Sequence, residues 1–277
     1  MNFTFNCNGR LLVLEQPVVM GILNATPDSF YTGSGHYSPG LLLEQAGQML
    51  EEGATILDIG GMSTRPGAGE LSLAEEADRV LPFIAAIRKH YPECYISIDT
   101  YRAMIAKEAV QAGADIVNDI SAGNLDTDML QTVGSLGVPY IAMHMQGRPA
   151  TMQHDPVYDD VVEEVLKFFI EKSAACGAAG IKDLILDPGF GFGKTVAHNY
   201  QLLKGLPALA IPGHCLLAGV SRKSMICKIL KVQPAEALNG TTALHMLCLQ
   251  QGAHILRAHD VREAAECIQL YQYYQTI

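Results

Sequence analysis

The chain alternates between short apolar runs and longer segments with helical spacing. Apolar residues fill the short runs almost without interruption, which is typical of parallel strands that are covered on both faces. Eight runs follow this pattern: 18–24, 55–60, 95–99, 115–119, 140–144, 184–187, 215–220 and 254–258. Eight strand–helix units in about 250 residues predict a closed (β/α)₈ barrel, the TIM-barrel architecture of the α/β class.

Turn and capping residues support this reading at several boundaries. Asn8 and Gly9 divide segment 3–14 into two β-rich halves, which predicts an N-terminal hairpin that closes the floor of the barrel. Helix starts are predicted at the capping residues Ser38 and Ser72. No linker or repeat divides the sequence, so we expect residues 1–277 to form a single domain.

Composition narrows the choice of partner and compartment. The 277 residues are 49% hydrophobic and carry a net charge of −10, which argues against a nucleic-acid or anionic membrane surface. An anionic substrate would therefore need a local pocket of cations. The seven cysteines have no paired spacing, and neither a signal segment nor an apolar stretch of membrane-spanning length is present. We expect reduced thiols and a cytoplasmic protein.

The segment "LDPGFGFGKT" (186–195) resembles a phosphate-binding loop without matching one. The template G-x-x-x-x-G-K-[ST] requires glycine where this chain has Pro188, and the dinucleotide fingerprint requires glycine where it has Lys194. Neither nucleotide motif is present. The acid before the turn, Asp187, therefore needs another explanation.

Polar residues occur where the apolar runs stop. One such residue alone is readily explained as a helix cap or a turn former. In a (β/α)₈ barrel, however, all of the strand ends meet at one mouth, which holds the active site. Caps do not account for the cations in the set, so we predict a functional site from Asn24, Asp58, Asp99, Asn118, Asp119, His144, Asp187, Ser221, Arg222, Lys223, Arg257 and His259.

Eight segments in order resemble the successive signatures of the dihydropteroate synthase family. They run from about residue 17 to the C-terminus: "MGILNATPDSF", "LDIGGMSTRPGAG", "ISIDTYR", "VNDI", "MHMQGRP", "LDPGFGFGK", "AGVSRKS" and "LRAHDV". The resemblance implies a single pterin-binding barrel domain and a cytosolic, usually dimeric enzyme of folate biosynthesis. Such an enzyme joins p-aminobenzoate to the methylene carbon of a dihydropterin pyrophosphate, releases pyrophosphate and uses Mg²⁺.

Pterin recognition can be assigned to strand-end acids and amides. A pterin is a flat, neutral heterocycle whose edge offers several donors and acceptors, so a deep site needs carboxylate and amide groups directed at that edge. Lys223 can donate to the ring from the other side, and two apolar side chains supply surface for its faces, although both would equally suit barrel packing. The expected pterin-binding residues are Asp99, Asn118, Asp187, Lys223, Met143 and Phe192.

The diphosphate requires cations on an acidic protein. Arg65, Arg257 and His259 are expected to supply them, and Thr64 can add a hydroxyl donor. By resemblance, the side-chain oxygen of Asn24 shares Mg²⁺ with diphosphate oxygens, which suits a hard cation that prefers oxygen ligands and keeps most of its waters.

The p-aminobenzoate site is expected to lie beside the reacting carbon. Ser224 opens the helix after the seventh strand and can take the carboxylate. By resemblance, Phe30, Thr64 and Pro66 contact the ring, although Phe30 would equally suit a loop anchor. The glycine-rich loops after the first two strands are expected to close as lids.

Catalysis is expected to consist mainly of removing diphosphate. An aryl amine is already neutral at physiological pH, so attack needs no strong general base. Conjugation with the dihydropterin spreads the positive charge that develops on carbon, which favours a dissociative path. Mg²⁺ and the catalytic residues Arg65, Lys223, Arg257 and His259 would then assist this path.

Two positions depart from the family pattern, because Met62 and Thr32 stand where loop acids are usual. Two alternatives therefore stay open. The chain could be a catalytically silent pterin-binding paralogue or a pterin-binding methyltransferase barrel. The segments "STRPG" and "RAH" argue against the methyltransferase, which has no reason to hold diphosphate.

Overall fold

The computed structural model describes residues 2–25, 39–62, 71–149 and 151–277. The strands are β1 (Phe3–Cys7), β2 (Arg10–Leu14), β3 (Val18–Asn24), β4 (Ala54–Gly60), β5 (Tyr95–Asp99), β6 (Ile116–Asp119), β7 (Tyr140–Met143), β8 (Leu184–Asp187), β9 (Cys215–Ala218) and β10 (Ile255–Ala258). The helices are α1 (Pro39–Glu51), α2 (Leu73–His90), α3 (Ala103–Ala112), α4 (Met129–Leu136), α5 (Val161–Ala178), α6 (Val196–Lys204), α7 (Ser224–Leu230), α8 (Leu238–Gln250) and α9 (Val261–Thr276). The predicted cap Ser38 lies outside the described residues.

The strands β3 to β10 form a closed parallel barrel, which confirms the predicted fold. Consecutive strands pair around the ring, and β10 closes it by pairing with both β9 and β3. The bounds of β3, β5 and β8 match the predicted runs. Two runs were predicted too long at their C-terminal ends, because β7 stops at Met143 and β9 at Ala218, where the chain turns into the mouth loops.

The N-terminal hairpin covers the floor of the barrel, as predicted. Asn8 and Gly9 have φ angles of 52° and 84°, the left-handed conformation that a tight two-residue hairpin turn requires at both positions. One face of β1 buries Phe3 and Phe5. These rings join a cluster with the inward-facing residues near the N-terminal ends of the strands, which include Met20, Ile56, Ile116, Ile141, Ile185 and Ile255.

The helices pack around the outside of the barrel. In α2, Phe83, Ile84 and Ile87 are buried in the main apolar cluster together with Leu57 and Ile98 of the neighbouring strands. The predicted capping box opens this helix. The N–H of Glu75 donates to Ser72 Oγ over 3.2 Å, and the Ser72 N–H donates to Glu75 Oε2 over 2.8 Å. A cap of this kind stabilises a helix by about 1 kcal/mol.

All seven cysteines are free, in agreement with the expectation of reduced thiols. Burial raises the pKa of Cys94 to about 11 and that of Cys7 to about 12, so neither is a thiolate at neutral pH. Of the helices that the structure describes, none is both long and apolar enough to cross a membrane.

Candidate active site

Strand register brings the predicted polar residues together at the mouth. Asn24 pairs with Gly60, Gly60 with Asp99, and Asp99 with Asn118, so these four positions form one row across β3 to β6. A Cβ at Gly60 would lie 3.5 Å from the Cβ of Asp99, which is an ordinary contact distance, so Gly60 lies directly beside Asp99 in this row. The row converges on the interior of the barrel mouth.

Arg257 of β10 connects the row to a buried acid of β4. Its Nε donates to Asp58 Oδ2 over 2.6 Å and its Nη2 donates to Asp99 Oδ2 over 2.7 Å. Asn118 Nδ2 donates to the same Asp58 oxygen over 3.0 Å. Arg257 was expected to be a cation free for diphosphate, whereas two of its donors are already committed to carboxylates.

Asp58 is a site residue that was not assigned a role from the sequence. It is fully buried, and its Oδ1 has no hydrogen-bond partner in the described part of the chain. A buried oxygen without a donor is costly to a protein, by about 1–3 kcal/mol. The available signal was a lone carboxylate in the apolar run "TILDIG". Its partner Arg257 is 199 residues away along the chain, so the pairing could not be read from spacing.

Both acids predicted for the pterin site, Asp99 and Asp187, have raised pKa values. Burial raises the pKa of Asp99 to about 7, with Arg257 opposing the shift and Asp58 adding to it. Burial also raises the pKa of Asp187, opposed first by the nearby ammonium of Lys223 and then by a 2.8 Å bond from the N–H of Gly189. Both carboxyls therefore lie close to cations in a site largely shielded from water.

Lys223 lies immediately before α7, on the opposite side of the mouth. Its Nζ donates to the carbonyl oxygen of Phe190 over 2.5 Å and lies 4.9 Å from the centre of the Phe192 ring. Burial lowers the pKa of Lys223 to about 8, and Asp187 opposes this shift, so the ammonium form still predominates at neutral pH.

His259 needs a correction, because it was expected to contribute positive charge. Its Nδ1 lies 3.0 Å from Ser221 Oγ. Burial lowers the pKa of His259 to about 4, and the neighbouring cations Arg257 and Arg222 add to the shift. The ring is therefore neutral at neutral pH in this structure. As a neutral imidazole it can offer a diphosphate an N–H donor.

The loop after β8 is built on three glycines with left-handed backbone. Gly189, Gly191 and Gly193 have φ angles of 68°, 83° and 62°. A Cβ at Gly189 would collide with the carbonyl oxygen of His144, so the loop lies directly against the segment after β7. Lys194 is buried in this loop, with its ammonium facing inward. It is therefore not available to phosphate, in agreement with the absence of a nucleotide motif.

A cavity of about 840 Å³ opens at the mouth. Seven of the predicted residues line it: Phe192, Ser221, Arg222, Lys223, Ser224, Arg257 and His259. Residues that were not predicted also contribute to its walls, including Met152, Gln153, Lys228 and Pro234. Met143, Asn118 and Asp187 are almost fully buried, and Asp99 is held by Arg257. These four are not part of the wall. Met143 pairs with Asp187 in register.

Five predicted positions lie outside the described residues: Phe30, Thr32, Thr64, Arg65 and Pro66. Their roles stay predictions. Met62, at the position where the family usually has an acid, is half-buried just after β4. Among the residues with described positions, no group of three or more His, Cys, Asp or Glu side chains could hold a metal ion.

Comparison with known proteins first defines the class. A profile of the family described as "Pterin binding enzyme" matches residues 20–259. This range includes all eight barrel strands apart from Val18 and Val19, the first two residues of β3. The dihydropteroate synthase of Escherichia coli K12 is 47% identical over 266 residues, covering 95% of this chain and 94% of the relative.

Similar solved structures belong to the same family as this relative. A Xanthomonas albilineans dihydropteroate synthase with 4-aminobenzoic acid superposes with a TM-score of 0.93 at 40% identity, over 100% of both chains. The same organism's enzyme in complex with 7,8-dihydropteroate gives a TM-score of 0.89 at 38% identity, over 99% of both. The chain belongs to the dihydropteroate synthase family. The predicted family, fold and enzyme class, a transferase of folate biosynthesis, are confirmed.

Proposed function

We propose that the mouth condenses p-aminobenzoate with 7,8-dihydropterin-6-ylmethyl pyrophosphate and that the residues divide this work between three subsites. The observation that carries the proposal is the connected cluster of Asp58, Asp99, Asn118 and Arg257 beside Lys223, at one end of a closed barrel. Acids and an amide lie at the bottom of this cluster, and cations lie on the cavity wall above them.

The pterin occupies the bottom, held by Asp99, Asn118 and Asp187. Carboxylates that accept N–H bonds from a ring edge form charge-assisted bonds worth about 1.5–3 kcal/mol each. Because Arg257 and Lys223 hold these carboxyls toward their ionised forms, the acids can act as acceptors despite their burial. Phe192 and Met143 provide apolar surface nearby, as their positions beside Lys223 and Asp187 support.

The diphosphate lies toward the rim, at Arg257 and His259. Among bonds within the described chain, Arg257 uses Nε and Nη2, which leaves Nη1 for a substrate oxygen. His259 donates a neutral N–H, and its ring is oriented by Ser221. Arg65 and Thr64 belong to this subsite on the resemblance to the family.

Mg²⁺ is proposed to bind at Asn24, which lies half-buried at the mouth end of β3 and forms no hydrogen bond from its amide to another described residue. One neutral protein oxygen fits Mg²⁺ in a site where diphosphate oxygens and water complete the coordination. When bound, the ion would supply electrostatic stabilisation of the leaving diphosphate.

p-Aminobenzoate enters through the cavity and places its carboxylate near Ser224, which is exposed at the first position of α7. Phe30, Thr64 and Pro66 are proposed to contact its ring. The 4-aminobenzoic acid in the related Xanthomonas structure supports an aryl acid as the second substrate.

The reaction proceeds by departure of diphosphate before the amine attacks. The carbon–oxygen bond breaks with its electron pair moving to diphosphate, and the dihydropterin ring delocalises the resulting cation. The amine nitrogen then forms the new bond to carbon and loses one N–H proton to solvent water. Arg257, Lys223, His259 and Arg65 stabilise the charge on the leaving group, which is where preorganised donors lower a barrier most.

We also propose a cytoplasmic homodimer. Buried, reduced cysteines support the compartment. The exposed apolar residues Leu230, Leu247 and Leu270, on α7, α8 and α9, support self-association. Sedimentation velocity on the purified protein measures the dimer directly, and a monomer at micromolar concentration would contradict it.

A coupled assay for pyrophosphate tests the proposed reaction. Purified protein with both substrates and Mg²⁺ should release pyrophosphate and form 7,8-dihydropteroate in equal amounts. Omission of p-aminobenzoate should remove dihydropteroate formation. A protein that binds the dihydropterin but releases no pyrophosphate with both substrates would be a silent binder, and the proposal would then be wrong.

A further inference from the structure

Lys194 ends the glycine-rich loop after β8, and the site described above gives it no role. Its side chain is only 3% exposed. Removing an ammonium group from water is costly unless its donors are satisfied, so lysine is rarely buried in this way without a specific structure around it. The groups that contact Nζ therefore indicate what the residue does.

The ammonium group joins two segments of the barrel mouth. Nζ lies 2.9 Å from the carbonyl oxygen of Gly189 and 3.1 Å from that of Phe192, both in the loop itself. It also lies 3.0 Å from Nδ1 of His144, just after β7. Burial and the nearby ammonium lower the pKa of His144 to about 3, so the imidazole is neutral and Nδ1 can accept a hydrogen bond.

His144 is a fixed anchor for this contact. Its ring packs edge-on against Phe168 of α5, with 4.9 Å between ring centres. Its backbone N–H donates to the carbonyl oxygen of Asp187 over 3.0 Å. Because Gly189 also lies directly against the His144 carbonyl, there is little room for the loop to move on this side.

Other groups of the same loop contact the pterin-site side chains. The N–H of Gly189 donates to Asp187 Oδ1 over 2.8 Å. The carbonyl oxygen of Phe190 accepts from Lys223 Nζ, and the Phe192 ring lies 4.9 Å from that ammonium. Lys194 thus binds two carbonyl groups of a loop whose neighbouring peptide groups contact Asp187 and Lys223.

We propose that Lys194 is a positioning residue that clamps loop 188–193 to the end of β7 and thereby fixes Asp187 and Phe192 in the pterin pocket. This inference rests on the proposed function. Burial lowers the pKa of Lys194 to about 7, with Asp187 opposing the shift and the like charge of Lys223 adding to it, so Asp187 is the neighbour that stabilises the ammonium form. The side chain acts through these residues and does not touch the reacting atoms.

The clamp can be tested with Lys194→Met, which keeps the length of the side chain and removes its donors. The control is Lys107→Met, since Lys107 is an exposed lysine of α3 and lies outside the cavity lining. For each protein the dissociation constant for 6-hydroxymethyl-7,8-dihydropterin, the KM for p-aminobenzoate and amide hydrogen exchange are measured.

Lys194→Met should raise the dihydropterin dissociation constant by about tenfold or more, since donors on a charged group are lost behind the site. The KM for p-aminobenzoate should stay within about twofold, and exchange should accelerate in 188–193 but not in the floor hairpin. Lys194→Arg should restore part of the affinity. Lys107→Met should match the parent.

Parental affinity together with parental exchange in Lys194→Met would overturn the clamp. An equal rise in both substrate constants, with faster exchange throughout the barrel, would also overturn it in favour of a general structural role. If Lys194→Met does not fold, the same measurements are made on Lys194→Gln. In the parent itself, amides of 188–193 that exchange as fast as free peptide would refute the clamp. Failure of the parent to bind dihydropterin would instead contradict the proposed function.

Discussion

Each end of the barrel contains a buried aspartate paired with arginine, two arginines at the floor and one at the mouth, but the two clusters differ in how many of their hydrogen-bonding groups have partners. At the floor, Asp115 Oδ2 accepts from Arg10 and Arg88 and from the N–H of Ile96. The remaining donors of Arg88 reach the carbonyl oxygens of Pro92, Cys94 and Gly113. This cluster attaches the hairpin to the barrel and uses its polar groups within the protein.

At the mouth, some hydrogen-bonding groups have no partner in the described part of the chain. Asp58 Oδ1 has no partner in the described part of the chain, and the bonds of Arg257 within that part use only two of its three nitrogens. The comparison indicates that the floor cluster serves stability, whereas the mouth cluster is built to be completed by a ligand. Substitutions at matched positions should therefore affect activity at one end and stability at the other.

The largest expected effect is on turnover in Arg257→Ala. Loss of a preorganised donor to the leaving group should lower kcat/KM by about 10²–10³, equivalent to about 2.7–4 kcal/mol of transition-state stabilisation. Steady-state pyrophosphate release measures this change.

The control for Arg257→Ala is Arg88→Ala at the floor. Its kcat/KM should stay within about threefold of the parent, because Arg88 contacts no part of the cavity. Similar losses of activity in the two variants would contradict the division between floor and mouth.

The next effect is on stability in Asp115→Ala. This change leaves two arginines side by side and removes the acceptor that holds the hairpin. It should lower the free energy of unfolding by about 3 kcal/mol, at the low end for a broken buried pair because both arginines are partly exposed. Urea denaturation followed by circular dichroism measures it.

The counterpart of Asp115→Ala is Asp58→Ala at the mouth. Removing Asp58 also removes its unpaired buried oxygen, so the stability cost should be smaller than at Asp115 while activity falls much further. A larger stability loss at Asp58 than at Asp115 would show that the mouth acid is mainly structural.

His245 of α8 tests whether an unpaired buried group by itself marks a site. Neither ring nitrogen has a partner in the described part of the chain, and burial lowers the pKa of His245 to about 4. Between its usual pKa of about 6.5 and this value the unfolded chain binds a proton that the folded chain does not, so stability falls as pH falls. His245→Leu should therefore be more stable than the parent by about 2 kcal/mol at about pH 5.

At about pH 7.5 the proton-linked part of this stability advantage should disappear, and the turnover of His245→Leu should equal that of the parent, because His245 does not line the cavity. Thermal melts at both pH values give the comparison. A loss of activity in His245→Leu would show that His245 is coupled to the residues at the mouth.

The barrel could be predicted because its strands are buried on both faces, so each run is apolar along its whole length, as "LILD" and "YISID" illustrate. The hairpin could be predicted because a turn with two left-handed residues favours Asn-Gly. Local sequence determines both features.

The pairings at the mouth could not be predicted in the same way. The bonds of Arg257 to Asp58 and Asp99, and the contact of Lys194 with His144, join residues distant in sequence. Their existence depends on how the ring of strands closes. The neutral state of His259 likewise follows from burial beside Arg257, which no local motif reports. Sequence therefore identified candidate residues better than it identified their charge states.

The smallest expected effect, and the one specific to the mouth, is a pH dependence of pterin binding through Asp99. Its pKa is raised to about 7 by burial. Above that value the carboxylate accepts ring N–H bonds, whereas below it the proton removes an acceptor and weakens the pairing with Arg257. The dissociation constant for 6-hydroxymethyl-7,8-dihydropterin should therefore rise as pH falls below about 7, by up to about tenfold per pH unit.

Asp99→Asn should bind the dihydropterin more weakly at about pH 8 and lose most of this pH dependence, since the amide does not titrate there. Calorimetric titrations between about pH 5.5 and pH 8 distinguish the two proteins. If the dissociation constant of Asp99→Asn keeps the same pH dependence, another group at the mouth must be the one that titrates. Asp99 would then serve only as a partner of Arg257.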